Sequence, residues 1–348
     1  MADVAAENGI SKKIRAQCLA WRAAGHEVRY FSLTPTTAVW PGMQPVEVVV
    51  LRRGHVLARV RQSWRLAAAI REWRPDVVYF RYAHHSPGLV RLFGAIPAVA
   101  EINSDDQAEY PLTLSRPKVI YHRLTRSRML RAVAGFVAVT NELAEHLAGF
   151  GKPCEVIANG ISFADTPLLP PPDPAAPPRL VFIGDAGSPW HGLDRVADLA
   201  RLLPGLPIDI IGKSAPDTPQ PAGLRFHGPL PRERYEPLLR AATVALGTLG
   251  LYTKNMDEAC PLKVREYLAA GLPVIAAYRD TDIPDGADYF LRLPNAPGDL
   301  APHRESIVRF IEAWRGRRVP RESVLPLDSA AKEARRLAFL ERLVAART

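Results

Sequence analysis

The sequence predicts an α/β protein built from two successive Rossmann-like domains. Apolar runs of strand length alternate with stretches of helical periodicity along most of the 348 residues. The alternation is interrupted by a proline-rich stretch at 166–178 and restarts at Arg179. Strands that alternate with helices form parallel sheets, and two such runs predict two domains facing across a cleft. Ligands of these sheets bind at the carboxyl ends of the strands.

The first run contains short apolar segments separated by longer helical patterns. Its predicted strands are 27–33, 46–51, 75–80, 97–102, 135–140 and 155–157. Its predicted helices are 12–24, 63–73 and 141–149. A doubly wound domain ordinarily begins with a strand, yet only about eight residues precede Gly9. Either Asp3–Ala6 is a short remnant of that strand, or the start of the reading frame is truncated.

The second run repeats the same alternation. Its predicted strands are 179–184, 208–212, 224–227, 243–246 and 274–277. Its predicted helices are 192–203, 232–241, 304–314 and 328–346. The last of these is amphipathic, which indicates that one face of it packs on a domain.

The composition limits the partners and the compartment. The formal net charge of +9 favours an anionic partner, either a nucleic acid, a membrane surface or a phosphorylated substrate. No nucleic-acid reader motif accompanies the charge, so nucleic acid is not expected. Three widely spaced cysteines indicate a reducing compartment and neither a disulfide framework nor a zinc site. Neither a long apolar run nor a signal peptide is recognisable, so a cytoplasmic location is expected.

The most informative stretch runs from Glu258 to Ile275. Seven residues separate Glu258 from Glu266, which falls in a short helical pattern ending at Gly271. Pro273 then opens an apolar run typical of a buried parallel strand. The pattern predicts one carboxylate just before a helix N-terminus, whose free N–H groups can hold an anion, and a second about two turns along the helix. An ordinary helix with two solvated glutamates is the alternative.

Four groups of short motifs occur in a particular order. They are Asn8–Lys13, Val156–Ile161, Phe182–Gly184 with Trp190–Gly192, and Glu258–Ile275. This order resembles the GT-B glycosyltransferases, specifically the retaining family-four group (glycosyltransferase group 1), over nearly the whole chain. The resemblance implies an acceptor domain at 1–165, a linker at 166–178 and a nucleotide-sugar donor domain at 179–303. The helices of 304–348 would pack back on the first domain.

The resemblance also implies roles in donor binding. Glu266 would hydrogen-bond the ribose of a nucleotide-diphosphate sugar, and Glu258 would lie beside the sugar ring as a catalytic residue. Backbone atoms would hold the sugar hydroxyls and the diphosphate at Ala259, Cys260, Pro261 and Leu262. Gly9 would let the backbone approach a phosphate, with Lys13 adding charge, although an ordinary turn before a basic helix is the alternative.

The chain departs from the phosphate clamp of the resembled family. That family usually has an arginine soon after the glycine matching Gly184 and a lysine before the glycine matching Gly192. Here Asp185 and His191 stand in those places. His191 can still donate a hydrogen bond, or it is a packing residue at a helix N-terminus. The candidate compensating cations, the favoured one first, are Lys263, Lys213 and Lys254.

A second departure concerns the reactive centre. The resembled family often has a histidine after the fourth-strand region, and Asn103 occupies the comparable position. An amide can hydrogen-bond a sugar hydroxyl but cannot shuttle protons. Asn103 therefore suits front-face attack, in which the leaving phosphate takes the acceptor proton. His84 and His85 are an alternative source of an imidazole.

Two further segments have patterns that are typical of membrane binding and of metal binding. The segment 112–132 carries six basic residues and no acidic one, with apolar residues interleaved. It predicts a basic amphipathic helix that either rests on an anionic membrane, presenting Arg123, Arg126 and Arg128 to a lipid-linked acceptor, or is simply solvated. The tripeptide Asp280-Thr281-Asp282 has the D-x-D pattern of metal sites, but its position after the last strand predicts a rim loop with no metal.

These features together predict a retaining, metal-independent glycosyltransferase that uses no cofactor. It would move a sugar from a nucleotide-diphosphate sugar to an acceptor hydroxyl in cell-surface polysaccharide, glycolipid or glycoconjugate biosynthesis. Its expected location is the cytoplasm, peripheral on the inner face of the plasma membrane. The alternatives are a nucleotide-sugar 2-epimerase, and a non-catalytic GT-B partner or glycan-binding protein.

Overall fold

The computed structural model of the chain describes residues 9–34, 46–50, 56–184 and 188–346. These residues form two compact units. The first unit runs to Ala158 and includes the residues from Ala330 onward, and the second spans Asn159–Ser329. The predicted first strand at Asp3–Ala6 and the predicted replacement at Asp185 lie outside the described residues.

The first unit contains two separate parallel sheets. A two-stranded sheet pairs β1 (Tyr30–Thr34) with β2 (Val46–Val50). A four-stranded sheet has the order β3 (Val78–Arg81), β4 (Ala98–Ile102), β5 (Gly135–Ala138) and β6 (Cys154–Val156). Every residue of β4 and β5 is buried, as expected for central strands of a parallel sheet covered on both faces.

Helices cover the sheets of the first unit. They are α1 (Gly9–Ala23), α2 (Val56–Trp73), α3 (Pro87–Phe93), α4 (Asp106–Thr113), α5 (Arg116–Ala132), α6 (Asn141–Leu147) and, at the C-terminus, α11 (Ser329–Ala345). Phe339 and Leu340 of α11 join Trp21, Val99 and Val137 in one apolar core. The C-terminal helix therefore packs in the first unit.

The basic segment 112–132 is not one helix. α4 ends at Thr113, and α5 begins at Arg116. Ser115 has extended backbone before the Arg116-Pro117 step. Pro117 has no N–H to donate and suits the first turn of a helix, where that donor would have no partner in the helix, so a new helix starts here.

The second unit is built around a six-stranded parallel sheet. In spatial order its strands are β14 (Phe290–Arg292), β12 (Val274–Ala276), β10 (Val244–Leu246), β7 (Leu180–Ile183), β8 (Ile208–Ile211) and β9 (Leu224–Phe226). Leu180 is in register with Ile208 on one side and with Val244 on the other. The edge strands β9 and β14 are only partly buried, which explains why the weakly apolar β14 escaped prediction.

The remaining elements of the second unit flank this sheet. The helices are α7 (Leu193–Leu202), α8 (Arg232–Ala241), α9 (Leu262–Ala269) and α10 (Arg304–Ala313). Two short strands, β11 (Glu258–Ala259) and β13 (Arg279–Asp280), pair in parallel beside α9. The proline-rich stretch 166–178 also lies in this unit, where Leu169 is buried and its N–H donates to the Ala270 carbonyl at 3.1 Å.

None of the described helices is both long enough and apolar enough to cross a lipid bilayer.

Candidate functional site

Two glycines bring separate backbone segments into contact at the carboxyl end of the large sheet. Gly184 follows β7, and Gly212 follows β8 with φ +94°. A Cβ on Gly212 would lie 2.4 Å from the Gly184 carbonyl oxygen, so only glycine fits both the space and the left-handed backbone. Lys213 comes directly after Gly212. The two strand ends thus meet where ligands of parallel sheets bind.

Three of the predicted donor-binding residues lie close to the Phe182 ring. A Cβ on Gly184 would lie 2.6 Å from the Phe182 ring and 2.9 Å from His191 Nδ1. The ammonium of Lys263 sits 4.0 Å from the centroid of the same ring, a cation–π distance. Gly184, His191 and Lys263 are therefore close together, although Gly184 and Lys263 lie 79 positions apart in the sequence.

Gly192 allows a second close approach beside His191. Its backbone is left-handed (φ +69°), and a Cβ there would lie 2.6 Å from the Gly250 nitrogen. The Gly250 N–H donates to the Trp190 carbonyl at 3.1 Å. Lys254, the third candidate cation, is buried with its ammonium 4.3 Å from the Trp190 ring centroid. Lys254 thus lies against the loop that carries His191.

Glu266 lies one turn along α9 and is oriented by a tyrosine. The Tyr235 hydroxyl donates to Glu266 Oε1 at 2.7 Å. Burial and the neighbouring Glu266 charge together raise the pKa of Tyr235 well above its ordinary value, so the phenol stays protonated and remains a donor. The backbone N–H of Ile183 donates to the Tyr267 hydroxyl at 2.6 Å. This bond ties α9 to the end of β7, next to Gly184.

Glu258 lies in β11, and three residues separate it from Leu262, the first residue of α9. It is almost fully buried, whereas Glu266 is only partly buried. Pro261 has extended backbone and precedes the first helical residue, Leu262. The two carboxylates therefore differ in environment: Glu258 is buried on the β11–β13 ribbon, and Glu266 is partly exposed.

Arg265 organises the base of this loop. It is fully buried, and its guanidinium donates two hydrogen bonds to Asp280, at 2.8 and 2.7 Å. It also donates to Asp282 at 3.1 Å and to the Asn159 carbonyl at 2.7 Å. The D-x-D carboxylates thus hold a guanidinium. Among the residues that the structure describes, no group of three or more His, Cys, Asp or Glu side chains is placed to hold a metal ion.

Asn159 transmits this anchoring to the loop backbone. Its amide donates to the Cys260 carbonyl at 2.9 Å, and its N–H contacts Cys260 Sγ at 3.4 Å. Burial raises the pKa of the Cys260 thiol to about 11, so the sulfur stays a neutral packing group. The backbone from Glu258 to Leu262 is therefore positioned by a chain of contacts running through Arg265.

Sequence reasoning overlooked Arg265 and Asn159 as site residues. A signal was present for the arginine, because Arg265 shares the buried face of α9 with Val264 and Leu268. A buried charge requires partners, and Asp280 and Asp282 are the acidic residues that follow soonest after the helix. Asn159 carried no such signal, since its contact with Cys260 depends on the folded path of the chain.

Asn103 and Lys13 meet around a buried glutamate in the first unit. Glu101 accepts hydrogen bonds from Lys13 Nζ and from the Asn103 amide, both at 2.7 Å. The Tyr79 hydroxyl donates to its other oxygen at 2.5 Å. Burial alone would raise the pKa of Glu101, but the charges of Lys13, Arg336 and Arg81 together outweigh burial and lower it well below its ordinary range. Gly9, the first residue of α1, is exposed one turn before Lys13.

The basic patch predicted on α5 divides into an inner and an outer part. Arg126 donates to Asp106 at 2.7 and 3.0 Å, and buried His122 contacts the same carboxylate. Arg123 and Arg128 are exposed. They share the surface of α5 with large exposed apolar side chains, namely Ile120, Tyr121 and Leu124. Arg126 thus has a structural contact, and the other two arginines border an apolar surface.

Solved structures resemble the chain along almost its full length. The sucrose-phosphate synthase of Thermosynechococcus elongatus is 15% identical, with a TM-score of 0.72 over 99% of this chain and 97% of that one. The Anabaena protein HepE, in complex with UDP and glucose, is 13% identical with a TM-score of 0.67 over 98% of each chain. The lipopolysaccharide outer core galactosyltransferase WaaB is 12% identical, with a TM-score of 0.63 over 99% and 98%.

The chain has the GT-B fold. Residues 8–165 also match the family described as Glycosyltransferase Family 4, so the predicted resemblance to GT-B enzymes of this family is confirmed. The match covers most of the first unit of this GT-B chain. No curated protein sequence matches the chain.

Proposed function

We propose that this GT-B protein is a retaining glycosyltransferase that moves a sugar from a nucleotide-diphosphate sugar to an acceptor hydroxyl. The observation that carries the proposal is the convergence of Gly184, His191 and Lys263 at the carboxyl end of one parallel sheet, with Glu266 on the same helix as Lys263. The second unit would bind the donor and the first unit the acceptor. HepE, with the same fold, was solved with UDP and glucose, which supports a nucleotide-sugar donor.

The residue types at this convergence suit a nucleoside diphosphate. The partly buried Glu266, held on one oxygen by Tyr235, can accept hydrogen bonds from a ribose diol. Lys263 and His191 supply donors for the diphosphate, and the backbone of Ala259–Leu262 adds N–H groups. Stabilising the charge that develops on a departing diphosphate is the largest contribution that such groups make to sugar transfer.

The proton balance of the transfer follows from Asn103. Its amide hydrogen-bonds a sugar hydroxyl but does not take a proton. In front-face attack the acceptor oxygen forms the new glycosidic bond as the bond to the diphosphate breaks. The acceptor proton passes to the leaving diphosphate. In this scheme Lys263, His191 and backbone N–H groups carry the electrostatic stabilisation, and no metal ion or cofactor is assigned a step.

We further propose peripheral attachment to the cytoplasmic face of a membrane during cell-surface polysaccharide or glycolipid synthesis. The exposed side of α5 supports this, because exposed Ile120, Tyr121 and Leu124 lie on the same helix as exposed Arg123 and Arg128. Apolar side chains flanked by cations favour anionic lipid surfaces. Binding to phosphatidylglycerol vesicles should weaken with salt and with the double change Arg123→Glu, Arg128→Glu. The control, Arg309→Glu with Arg201→Glu on other helices, should bind nearly as the parent does.

A panel of nucleotide-diphosphate sugars tests the catalytic proposal. We expect one donor to raise the melting temperature and to be hydrolysed slowly or transferred to an acceptor. Glu266→Gln should abolish this protection, whereas Glu305→Gln, at an exposed position of α10, should retain it. The anomeric configuration of the product, read by NMR, reports retention. Donor binding without transfer or hydrolysis would instead favour a non-catalytic binding protein.

A further inference from the structure

The carboxylate of Glu101 already has all the direct hydrogen bonds that it can accept. Lys13 and Asn103 donate to Oε1, and Tyr79 and Gln17 donate to Oε2. A carboxylate offers about four acceptor positions. Any further cation near Glu101 is therefore not needed to satisfy its hydrogen bonds.

Arg81 is such a further cation. It ends β3, and its guanidinium nitrogen lies 3.7 Å from Glu101 Oε1, too far for a hydrogen bond. The Arg81 side chain is 34% exposed, against 3% for Glu101. Within the described parts of the chain, no protein acceptor receives a hydrogen bond from the Arg81 guanidinium.

The charges of this cluster do not balance. The cations are Lys13, Arg81 and Arg336, and the anions are Glu101 and Glu333, the partner of Arg336. Counted over the described residues alone, the cluster therefore carries one positive charge more than it has carboxylates. A partly buried charge is costly unless it is paired. We assign the excess positive charge to Arg81, because solvent and ligands can reach it.

Tyr110 provides a neutral donor near the end of β3, because its ring centroid lies 4.7 Å from that of His84, three residues after Arg81. Burial raises the pKa of Tyr110 to about 12, and the charge of Arg81 is near enough to act against that rise. The phenol consequently stays protonated at neutral pH. A planar guanidinium fork and a phenol O–H together suit the oxygens of a phosphate group.

We infer that Arg81, together with Tyr110, binds a phosphate group of the acceptor substrate. The inference rests on the proposed function, which assigns the acceptor to the first unit, and it narrows the acceptor to phosphate-bearing molecules. Arg81 is the last residue of β3 and is in register with Glu101 of β4, and Asn103 follows Glu101 by two residues. The phosphate subsite therefore adjoins the residue proposed to hydrogen-bond the reacting sugar.

Titration of the full chain with glycerol 3-phosphate tests the subsite. We expect Arg81→Gln to weaken binding by about tenfold or more, since charge-assisted hydrogen bonds are lost. Arg81→Lys keeps the charge beside Glu101 but loses the fork, so it should fold and bind with an intermediate constant. Arg91→Gln removes an exposed arginine of the same unit and should leave binding unchanged. Lys263→Met should retain the Arg81-dependent event, which separates it from phosphate binding at the donor residues.

A second measurement distinguishes a soluble phosphate from a lipid headgroup. Phosphatidylcholine vesicles containing phosphatidic acid carry the same phosphate monoester at their surface. If the acceptor is lipid-linked, Arg81→Gln weakens binding to these vesicles but not to vesicles with an equal charge of phosphatidylglycerol. If it is soluble, only the glycerol 3-phosphate titration responds to Arg81→Gln.

The inference and the proposed function fail in different ways. If no nucleotide sugar binds or reacts, the glycosyltransferase proposal is wrong, while the phosphate titration still reports on Arg81. If a nucleotide sugar reacts but folded Arg81→Gln and Arg81→Lys bind glycerol 3-phosphate as tightly as the parent does, the subsite is wrong. The donor reaction would then stand without it.

Discussion

Arg265 and Asp280 form a two-pronged ion pair, with bonds of 2.7 and 2.8 Å between fully buried side chains. The pair joins α9 to the β11–β13 ribbon, on which Glu258 lies. The same guanidinium holds Asn159, which binds the Cys260 carbonyl. The position of the loop Glu258–Leu262, which is proposed to bind the donor, thus depends on Arg265, a fully buried residue.

Breaking this pair should destabilise the second unit. Removing one partner leaves the other charge buried, so Asp280→Asn should lower the free energy of unfolding by about 3–5 kcal/mol. Urea titration followed by tryptophan fluorescence measures the change. Arg279→Ala, at the adjacent exposed position, is the control and should cost far less. A cost for Asp280→Asn as small as that of Arg279→Ala would contradict the anchoring role of Arg265.

Tyr235→Phe tests the orientation of Glu266. The change removes only the hydroxyl that donates to Glu266 Oε1, so about 1 kcal/mol of stability should be lost. The proposed ribose contact should weaken as well, which raises KM for the donor severalfold and leaves kcat nearly unchanged. Tyr252→Phe in the same unit is the matched control. Equal KM values for the two variants would show that Tyr235 does not position Glu266.

The glycine pair at the strand ends can be tested with a matched substitution. Gly205 and Gly212 both have left-handed backbone, with φ +88° and +94°, but a Cβ on Gly205 meets nothing within 4 Å. Gly205→Ala should therefore cost only backbone strain, about 1 kcal/mol. Gly212→Ala adds a clash with the Gly184 carbonyl and should cost considerably more. Thermal unfolding of both variants, with donor protection as a second readout, isolates the close approach.

The lowered pKa of Glu101 predicts how acid affects the first unit. A carboxyl whose pKa is lower in the folded chain stabilises it fully above the ordinary value of 4.5. That stabilisation is lost progressively as the pH falls from about 4.5 toward the lowered pKa. The free energy of unfolding of the parent should therefore decrease steeply as the pH falls over this range.

Glu101→Gln should remove most of that acid dependence. It should also lower stability at neutral pH by about 3 kcal/mol or more, because Lys13 is left buried without its carboxylate. Denaturant titrations at a series of pH values provide the measurement, with exposed Glu305→Gln as the control. A parent-like acid slope in Glu101→Gln would mean that other carboxyls govern acid unfolding.

Much of the fold could be predicted because its signals are local. The helix predicted at 232–241 has those bounds in the structure, and Gly271 follows α9 with left-handed backbone, as a helix-ending glycine should. α3 and α4 escaped prediction, the latter because Pro111 inside it argues against a helix. The interruption at Ser115 was missed because the apolar and basic pattern continues across it.

The candidate site could be predicted only where one segment carries it. The Glu258–Ile275 stretch predicted a carboxylate on a short helix, and separate motifs predicted Gly184, His191 and Lys263 as site residues. Their meeting around Phe182 depends on how β7 and α9 pack, which no local pattern states. The partner of Arg126 is likewise Asp106 on the preceding helix, and this pairing removes Arg126 from the exposed face of α5.

The sequence by itself determined the alternation of strands and helices, the parallel sheets and the order of the motifs, since these follow from apolar periodicity and from glycine and proline positions along the chain. Only the tertiary structure decided which charges meet. Glu101 with Lys13, Arg265 with Asp280 and Arg81 beside a saturated carboxylate join residues that are distant in sequence. The energy of a buried charge depends on the distance to its partners and on the solvent it has lost, and both exist only in the folded chain.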